Sequence, residues 1–253
     1  MQKLKVIPPD LKQPQPSGTI NTTEEFQPVL TPEQEEQNRL ADERRRKEYY
    51  DLQLRSVGIP LRFMGKTFDD LTGMSDKVIT CKKTVMDEGQ SLFLTGGPGV
   101  GKTHIAVALT KLMFDKHKKR AQERQEELRK NGDYRLVSDT PSVAFLPSVE
   151  LFLLLKHSFN SDSVSELEII EKFSKKDFLV IDDVGSEKVS DWSRQVFYTL
   201  IDRRYRDMKQ TVITSNLDLK EIADVIDSRI ASRIREMGAV VKIDSTDKRL
   251  KPK

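Results

Sequence analysis

Four glycines, a lysine and a threonine stand in an order suited to one kind of chemistry. Gly96, Gly97, Gly99 and Gly101 run into Lys102 and Thr103 with the spacing G-x-x-x-x-G-K-T, directly after the apolar run Ser91-Leu92-Phe93-Leu94-Thr95 and before a helical pattern. Glycines lack the Cβ that would keep a backbone from wrapping closely round a triphosphate. Successive N–H groups and the N-terminus of the following helix can then all face anionic oxygens. Lys102 adds a point charge at the β- and γ-phosphates, and the Thr103 hydroxyl is placed to ligand Mg²⁺. A chance glycine-rich turn explains neither the complete motif nor its position between a strand and a helix.

A second set of residues suits hydrolysis. Phe178-Leu179-Val180-Ile181-Asp182-Asp183 delivers two carboxylates at the end of an apolar strand, the edge at which open α/β sheets bind ligands. Asp182 is expected to hold the metal, and Asp183, one residue on, to orient and activate the attacking water. The same two aspartates can instead cap the turn that follows. Asn216 ends another apolar run, Thr211-Val212-Ile213-Thr214-Ser215-Asn216. It suits a hydrogen bond to the nucleophilic water or the γ-phosphate, and equally a turn. Arg229 and Arg233 fall four apart on one helical face, a spacing that also serves ordinary surface ion pairs.

The elements that must position these residues follow from the hydrophobic pattern. Five apolar, β-rich runs, at residues 91–95, 143–146, 178–182, 211–214 and 240–243, are separated by helical patterns. Such alternation predicts a parallel sheet covered on both faces. Residues 190–207 form a helix that places Trp192, Val196, Leu200 and Ile201 in the core, and Gly238 closes the helix before the last strand. Ahead of the sheet, six of the eleven prolines fall in the first 32 residues, so residues 1–30 are expected to be a flexible tail. Thr31-Pro32 then opens a charged helix that runs to about Arg55. Its apolar residues Leu40, Tyr49, Leu52 and Leu54 are too few to bury much against a core, so it is read as exposed or packed on a partner. The expected division is a tail over 1–30, a charged segment over 31–56 and a globular domain over 57–253.

Bulk charge says little about partners: 43 Lys and Arg face 40 Asp and Glu, a net +3. Local charge says more. Seven basic residues oppose three Glu between Lys116 and Lys130, and five oppose two Asp between Lys242 and Lys253. The basic stretch is either a solvated extension of the phosphate-loop helix or a contact for DNA phosphates or an acidic protein. A single cysteine, Cys81, and three scattered histidines exclude an internal disulfide and a metal cluster of the usual spacings. Neither a signal peptide nor a long apolar span is evident, so a cytoplasmic protein with no membrane contact is expected.

Six motifs in order resemble the DnaC/DnaI/IstB group of AAA+ ATPases, which comprises bacterial and phage helicase loaders and the helper ATPases of IS21-type transposons. They are Gly58-Ile59-Pro60 with Arg62-Phe63, the loop ending Lys102-Thr103-His104, Val180-Ile181-Asp182-Asp183-Val184-Gly185, Ile201-Asp202-Arg203-Arg204, Ile213-Thr214-Ser215-Asn216 and Ser228-Arg229-Ile230-Ala231-Ser232-Arg233. The resemblance covers roughly residues 57–250. It implies an α/β AAA+ P-loop fold with a five-stranded parallel sheet between helices and a minimal C-terminal lid. It also implies a site for ATP and Mg²⁺ shared between neighbouring copies. On that basis Gly96, Gly97, Pro98, Gly99, Val100, Gly101, Lys102, Thr103 and His104 hold the nucleotide, Thr103 and Asp182 the metal. Asn216 resembles the polar sensor of the γ-phosphate, Arg233 a finger offered to the next copy's ATP, Arg229 its companion and Arg249 a second sensor. Lys156, Lys172, Lys175 and Lys176 match the region through which relatives meet single-stranded DNA.

The function implied is an ATP-dependent loader that self-associates and delivers a replicative DNA helicase. A transposition helper acting on duplex DNA shares the same core. A regulatory module that holds nucleotide with little turnover is the third possibility.

Overall fold

The computed structural model describes residues 31–71, 75–138, 141–158, 164–186 and 190–244. The expected tail over residues 1–30 and the second sensor Arg249 lie outside the described residues.

Helix α1 (Pro32–Ser56) begins where proline at the first helical position predicts it. The chain divides into two units between Arg45 and Arg46. The described part of the first unit is helical and exposed throughout, with Arg39 paired to Glu36 and Glu43, and Arg45 paired to Asp42. In the second unit the sequence expectation for α1 needs correction. Leu54 is wholly buried and Tyr50 packs on the same core. Tyr50, Leu54 and Val57 follow the i, i+4, i+7 spacing of one helical stripe, whereas Tyr49 and Leu52 point elsewhere and stay exposed. The stripe begins only in the last two turns.

A 3₁₀ turn (Leu61–Phe63) follows, then α2 (Ser75–Lys82), which ends in a π turn (Lys83–Asp87). Strand β1 (Ser91–Thr95) is buried along its length and feeds through the glycine loop into α3 (Lys102–Lys130). Next come β2 (Val143–Pro147), α4 (Ser148–Ser158), α5 (Glu166–Ser174) and β3 (Phe178–Val184). Helix α6 (Asp191–Arg206), β4 (Gln210–Ser215), α7 (Leu219–Val225), α8 (Ser228–Met237) and β5 (Gly238–Lys242) complete the unit. The five strands are all parallel in the order β2-β3-β4-β1-β5. The last strand starts two residues earlier than its apolar run suggests, because the backbone of Gly238 already pairs with Ser91 and α8 passes into β5 without a loop.

Strand side chains alternate between two cores. Leu92, Leu94, Phe145, Val180 and Val212 face α3 and the segment around Leu54, while Phe93, Leu146, Ile181 and Ile213 face the second core with α4 to α8. Burial on both sides is why the strands read as continuous apolar runs. The basic stretch after Lys116 continues α3 to Lys130 as one helix of 29 residues. Some of its charges are engaged: the Lys116 ammonium donates to Met86 O at 3.0 Å and that of Lys118 to Gln53 Oε1 at 2.8 Å. Among the described residues no helix is long and apolar enough to cross a membrane.

Candidate functional site

Parallel packing places the C-terminal ends of β1, β3 and β4 side by side, so three separate motifs meet at one sheet edge. The loop leaves β1 at Gly96, whose φ is 144°. A Cβ there would lie 2.3 Å from the carbonyl oxygen of Ile243, which its own N–H ties to Thr95 O at 2.7 Å. Only glycine can make that turn against β5. Helix α3 starts after Gly101 with no side-chain cap, which leaves its first N–H groups for an anion.

Lys102 is buried, and its ammonium donates to Gly96 O at 2.7 Å, Gly97 O at 2.8 Å and Asn216 Oδ1 at 2.8 Å. Asn216 then donates through Nδ2 to Asp183 Oδ1 at 3.1 Å. Phosphate loop, β4 tip and β3 carboxylate therefore form one chain of hydrogen bonds. Thr103 donates its hydroxyl to Asp182, 3.1 Å from each carboxylate oxygen. Burial pushes the Asp182 carboxyl above the ordinary aspartate range, against the hydroxyls of Thr214 and Thr103 and the Lys102 charge, which pull it down. A hydroxyl and a carboxylate side by side are hard oxygen donors of the kind Mg²⁺ takes beside phosphate oxygens, so the residues present fit the metal.

Asp183 is held unusually. Its φ is 58°, left-handed and rare for a residue with a side chain, and the pairing of β3 with β4 shifts register between Ile181 and Val184. Its N–H donates to Thr214 Oγ1 at 2.8 Å, while Thr214 donates to Asp182 Oδ1 at 2.6 Å. Its carbonyl accepts from Ser148 Oγ at 3.0 Å and Ser186 Oγ at 2.9 Å. Sequence reasoning passed over Thr214 and Ser148. The signal available was slight: Thr214 sits two residues before Asn216 on an apolar strand, where threonine is also simply a good strand residue.

A cavity of about 520 Å³ opens over these groups. Pro98, Gly99, Gly101, Lys102, Thr103 and His104 line it, together with Asp182, Asp183 and Asn216. Val100 instead turns its side chain into the core. Residues of the segment 62–71 also line the cavity, among them Phe63, half-buried, and Leu71, which is packed in the core beneath. His104 Nε2 is 2.6 Å from Thr67 O, and its ring lies 6.3 Å from that of Phe63.

Arg229 and Arg233 do not line this cavity. Both lie on α8 over the Tyr198 ring of α6, at 4.2 and 4.5 Å from its centre. Arg229 pairs with Asp227 at 2.7 Å and holds that carboxyl below its usual range. Arg233 pairs with Asp202 at 2.6 Å, and its Nη1 is buried without a hydrogen-bond partner. Of the four candidate DNA lysines, Lys156 is on α4 and Lys172 on α5. Lys175 pairs with Glu171, and Lys176, half-buried, gives its carbonyl to Arg204 Nη1 at 2.7 Å.

Comparison with known proteins agrees with this geometry. Residues 134–253 match the family described as IstB-like ATP binding protein. The replicative helicase loader DnaC of Buchnera aphidicola subsp. Acyrthosiphon pisum is 25% identical over 213 residues, 79% of this chain and 77% of that one. The DnaC of Escherichia coli K12 is 24% identical over 145 residues, 57% of this chain and half of its own length. A crystal structure of the DnaC helicase loader superposes with a TM-score of 0.55 at 26% identity, over 73% of this chain and all of that one. The family is described as ATP binding, and its match begins at residue 134, beyond the glycine loop. With a phosphate loop, paired strand-end carboxylates and a polar β4 tip joined on a five-stranded parallel sheet, the chain is similar in sequence and fold to the DnaC/DnaI/IstB-like AAA+ proteins.

Proposed function

We propose that the protein hydrolyses ATP with Mg²⁺ at junctions between neighbouring copies of itself, and that in the cytoplasm it delivers a replicative DNA helicase to single-stranded DNA. The observation that carries this reading is the division of labour between the two faces. The Lys102–Asn216–Asp183 chain supplies cradle, sensor and base in one copy, while Arg233 lies outside that cavity with a buried, unpartnered N–H group.

Thr103 and Asp182 would hold Mg²⁺, which when bound would supply positive charge to offset that of the phosphates. Lys102 would leave the carbonyls of Gly96 and Gly97 for the phosphates. Asp183, its backbone pinned by Thr214 and Ser148, would accept a proton from the attacking water, with Asn216 fixing its carboxylate. Arg233 of an adjoining copy would complete the charge around the γ-phosphate, a contribution worth about 10³ to 10⁵ in rate when a guanidinium is supplied in trans. Assembly then switches turnover on.

Helicase delivery rests on the loader relatives. For the helicase contact we assign the exposed residues of the charged segment over residues 31–56, ahead of an ATPase domain over 57–253, since Tyr50 and Leu54 pack in the ATPase core. Lys156, Lys172, Lys175 and Lys176 are the candidates for phosphates of single-stranded DNA, with Lys175 weakened by its pairing to Glu171. The match to the IstB-like family favours a second reading, a transposition helper on duplex DNA.

The shared-site reading is tested by mixing Lys102→Ala and Arg233→Ala proteins, each inactive alone. Turnover should return in the mixture under assembling conditions, and a mixture that stays silent refutes a site completed by the neighbour. Stimulation by single-stranded over duplex DNA, together with capture of a replicative helicase, separates the loader from the transposition helper.

A further inference from the structure

Helix α3 does more than start at the phosphate loop. Two of its side chains, His104 and Lys111, reach across to the wall formed by residues 62–71. Nε2 of His104 meets Thr67 O at 2.6 Å. Two turns on, the Lys111 ammonium donates to three carbonyls, Phe63 O at 2.9 Å, Met64 O at 2.5 Å and Lys66 O at 2.8 Å. Phe63 O also accepts from Lys66 N–H at 3.0 Å, and all three carbonyls lie at or just beyond the C-terminal end of the 3₁₀ turn, where a cation is favoured. The rest of the wall closes on itself: Thr67 N–H donates to Asp70 Oδ2 at 2.8 Å and Leu71 N–H to Phe68 O at 3.0 Å. Burial lowers the pKa of the Lys111 ammonium, opposed by Asp51, Asp70 and Asp115. Burying that charge is acceptable because all three of its donors have acceptors.

The wall matters because of where it stands. Asp182, Asp183 and Asn216 line the cavity where they are joined to Lys102 and Thr103, and Phe63 and Leu71 line it on the segment that His104 meets. A nucleotide laid with its phosphates along the loop and its γ-phosphate toward Asp183 and Asn216 would have that wall left for its base and ribose. Lys111 itself does not line the cavity.

We propose, resting on the nucleotide reading above, that Lys111 is a positioning residue for the base end of the site. It braces the 3₁₀ turn so that Phe63 and Leu71 stand ready for the base, and it does so without touching the ligand. Affinity for the base and ribose then depends on this clasp, whereas affinity for the phosphates does not.

The test uses two probes on the full chain, ATP and inorganic tripolyphosphate, each titrated calorimetrically with Mg²⁺. K111M keeps an unbranched side chain one atom shorter and removes its charge. ATP binding should weaken roughly ten-fold, the scale of a lost charged hydrogen-bonding group, while tripolyphosphate binding stays as in wild type. Amides of residues 63–71 should exchange faster with solvent in the same variant. Should K111M fail to fold, K111Q, which retains one donating group, gives the same comparison. Unchanged ATP affinity, or equal weakening of both probes, overturns the clasp. Wild-type protein that binds neither probe overturns the nucleotide reading, and the clasp with it.

Discussion

Arg204 and Arg233 lie on helices packed together, both largely withdrawn from water, yet they are satisfied in opposite ways. Arg204 is wholly buried at the corner of α5, α6 and β4. Its Nε donates to Thr211 Oγ1, its Nη1 to the carbonyls of Phe173, Ser174 and Lys176, and its Nη2 to Gln210 O. It caps the orphan carbonyls at the end of α5 and ties them to the first residues of β4. Arg233, on the face of α6 and α8, is 22% exposed, stacks on Tyr198 and meets one carboxylate, while its Nη1 has no acceptor. Burying an unpaired donor costs about 1–3 kcal/mol, and a residue chosen for stability alone would not leave it so. The first corner is complete within one chain; the second face lacks an acceptor.

The comparison breaks most sharply at Arg233. R233A should lower phosphate release about 10³-fold or more at concentrations where copies associate, while its unfolding free energy from urea titration changes by less than about 1 kcal/mol, as for an ordinary ion pair. Asp202 keeps Arg206 as a partner at 3.1 Å. Full turnover in R233A would reduce this arginine to a surface ion pair.

Arg204 predicts the reverse. R204M leaves several buried carbonyls without donors and should cost about 3–5 kcal/mol, read as the loss of denaturation free energy at a constant m-value. R204K should recover little, because one ammonium cannot serve acceptors spread over two elements. A stable R204M would mean that α5 is anchored by apolar packing alone.

Between these extremes stands Thr214, buried at the site but internal to it. T214V removes an acceptor from Asp183 N–H and a donor from Asp182 with little change in shape. It should cost about 2 kcal/mol and loosen the left-handed backbone of Asp183, whereas T214S should behave as wild type. Equal denaturation midpoints for T214V and wild type would show that Ser148 and Ser186 hold that backbone unaided.

These residues also mark what could be read before the fold was known. The five strands, the phosphate loop and the carboxylate pair announce themselves through local patterns: apolar runs, glycine spacing, a charge at a strand end. Their meeting point follows from parallel pairing, so the site was legible to the extent that it is built from strand ends. What escaped notice is built from long-range contacts of ordinary residues. Arg203 and Arg204 are adjacent in sequence, and only the packing of α5 makes the second one structural. Lys111 looks like any helical lysine until the turn some 47 residues earlier is placed beside it. The buried stripe of Tyr50 and Leu54 was hidden among exposed Tyr49 and Leu52, because two turns of helix are too short for a period to stand out.

That stripe gives the smallest effect, and one with a definite sign. Tyr50 donates its hydroxyl to Asp115 of α3 at 3.0 Å and sets its ring edge-on to Phe114. Burial raises the Asp115 carboxyl above its ordinary value, although the Tyr50 hydrogen bond and the charges of Lys118 and Lys111 pull it down. A carboxyl whose folded pKa is raised binds its proton more tightly in the folded chain. Its contribution to stability is therefore fully present below the unfolded value of about 3.9 and is lost as pH rises through the folded value. D115N carries no titrating proton and can still accept from Tyr50. Relative to wild type, D115N should therefore gain stability as pH climbs from about 3 to 7, with most of the gain just above the ordinary aspartate value. Partial exposure should hold the gain below about 1 kcal/mol. Urea midpoints of both proteins across that range would show it, and a difference that is flat or falls with pH would mean that the charges of Lys118 and Lys111 outweigh burial at the foot of α1.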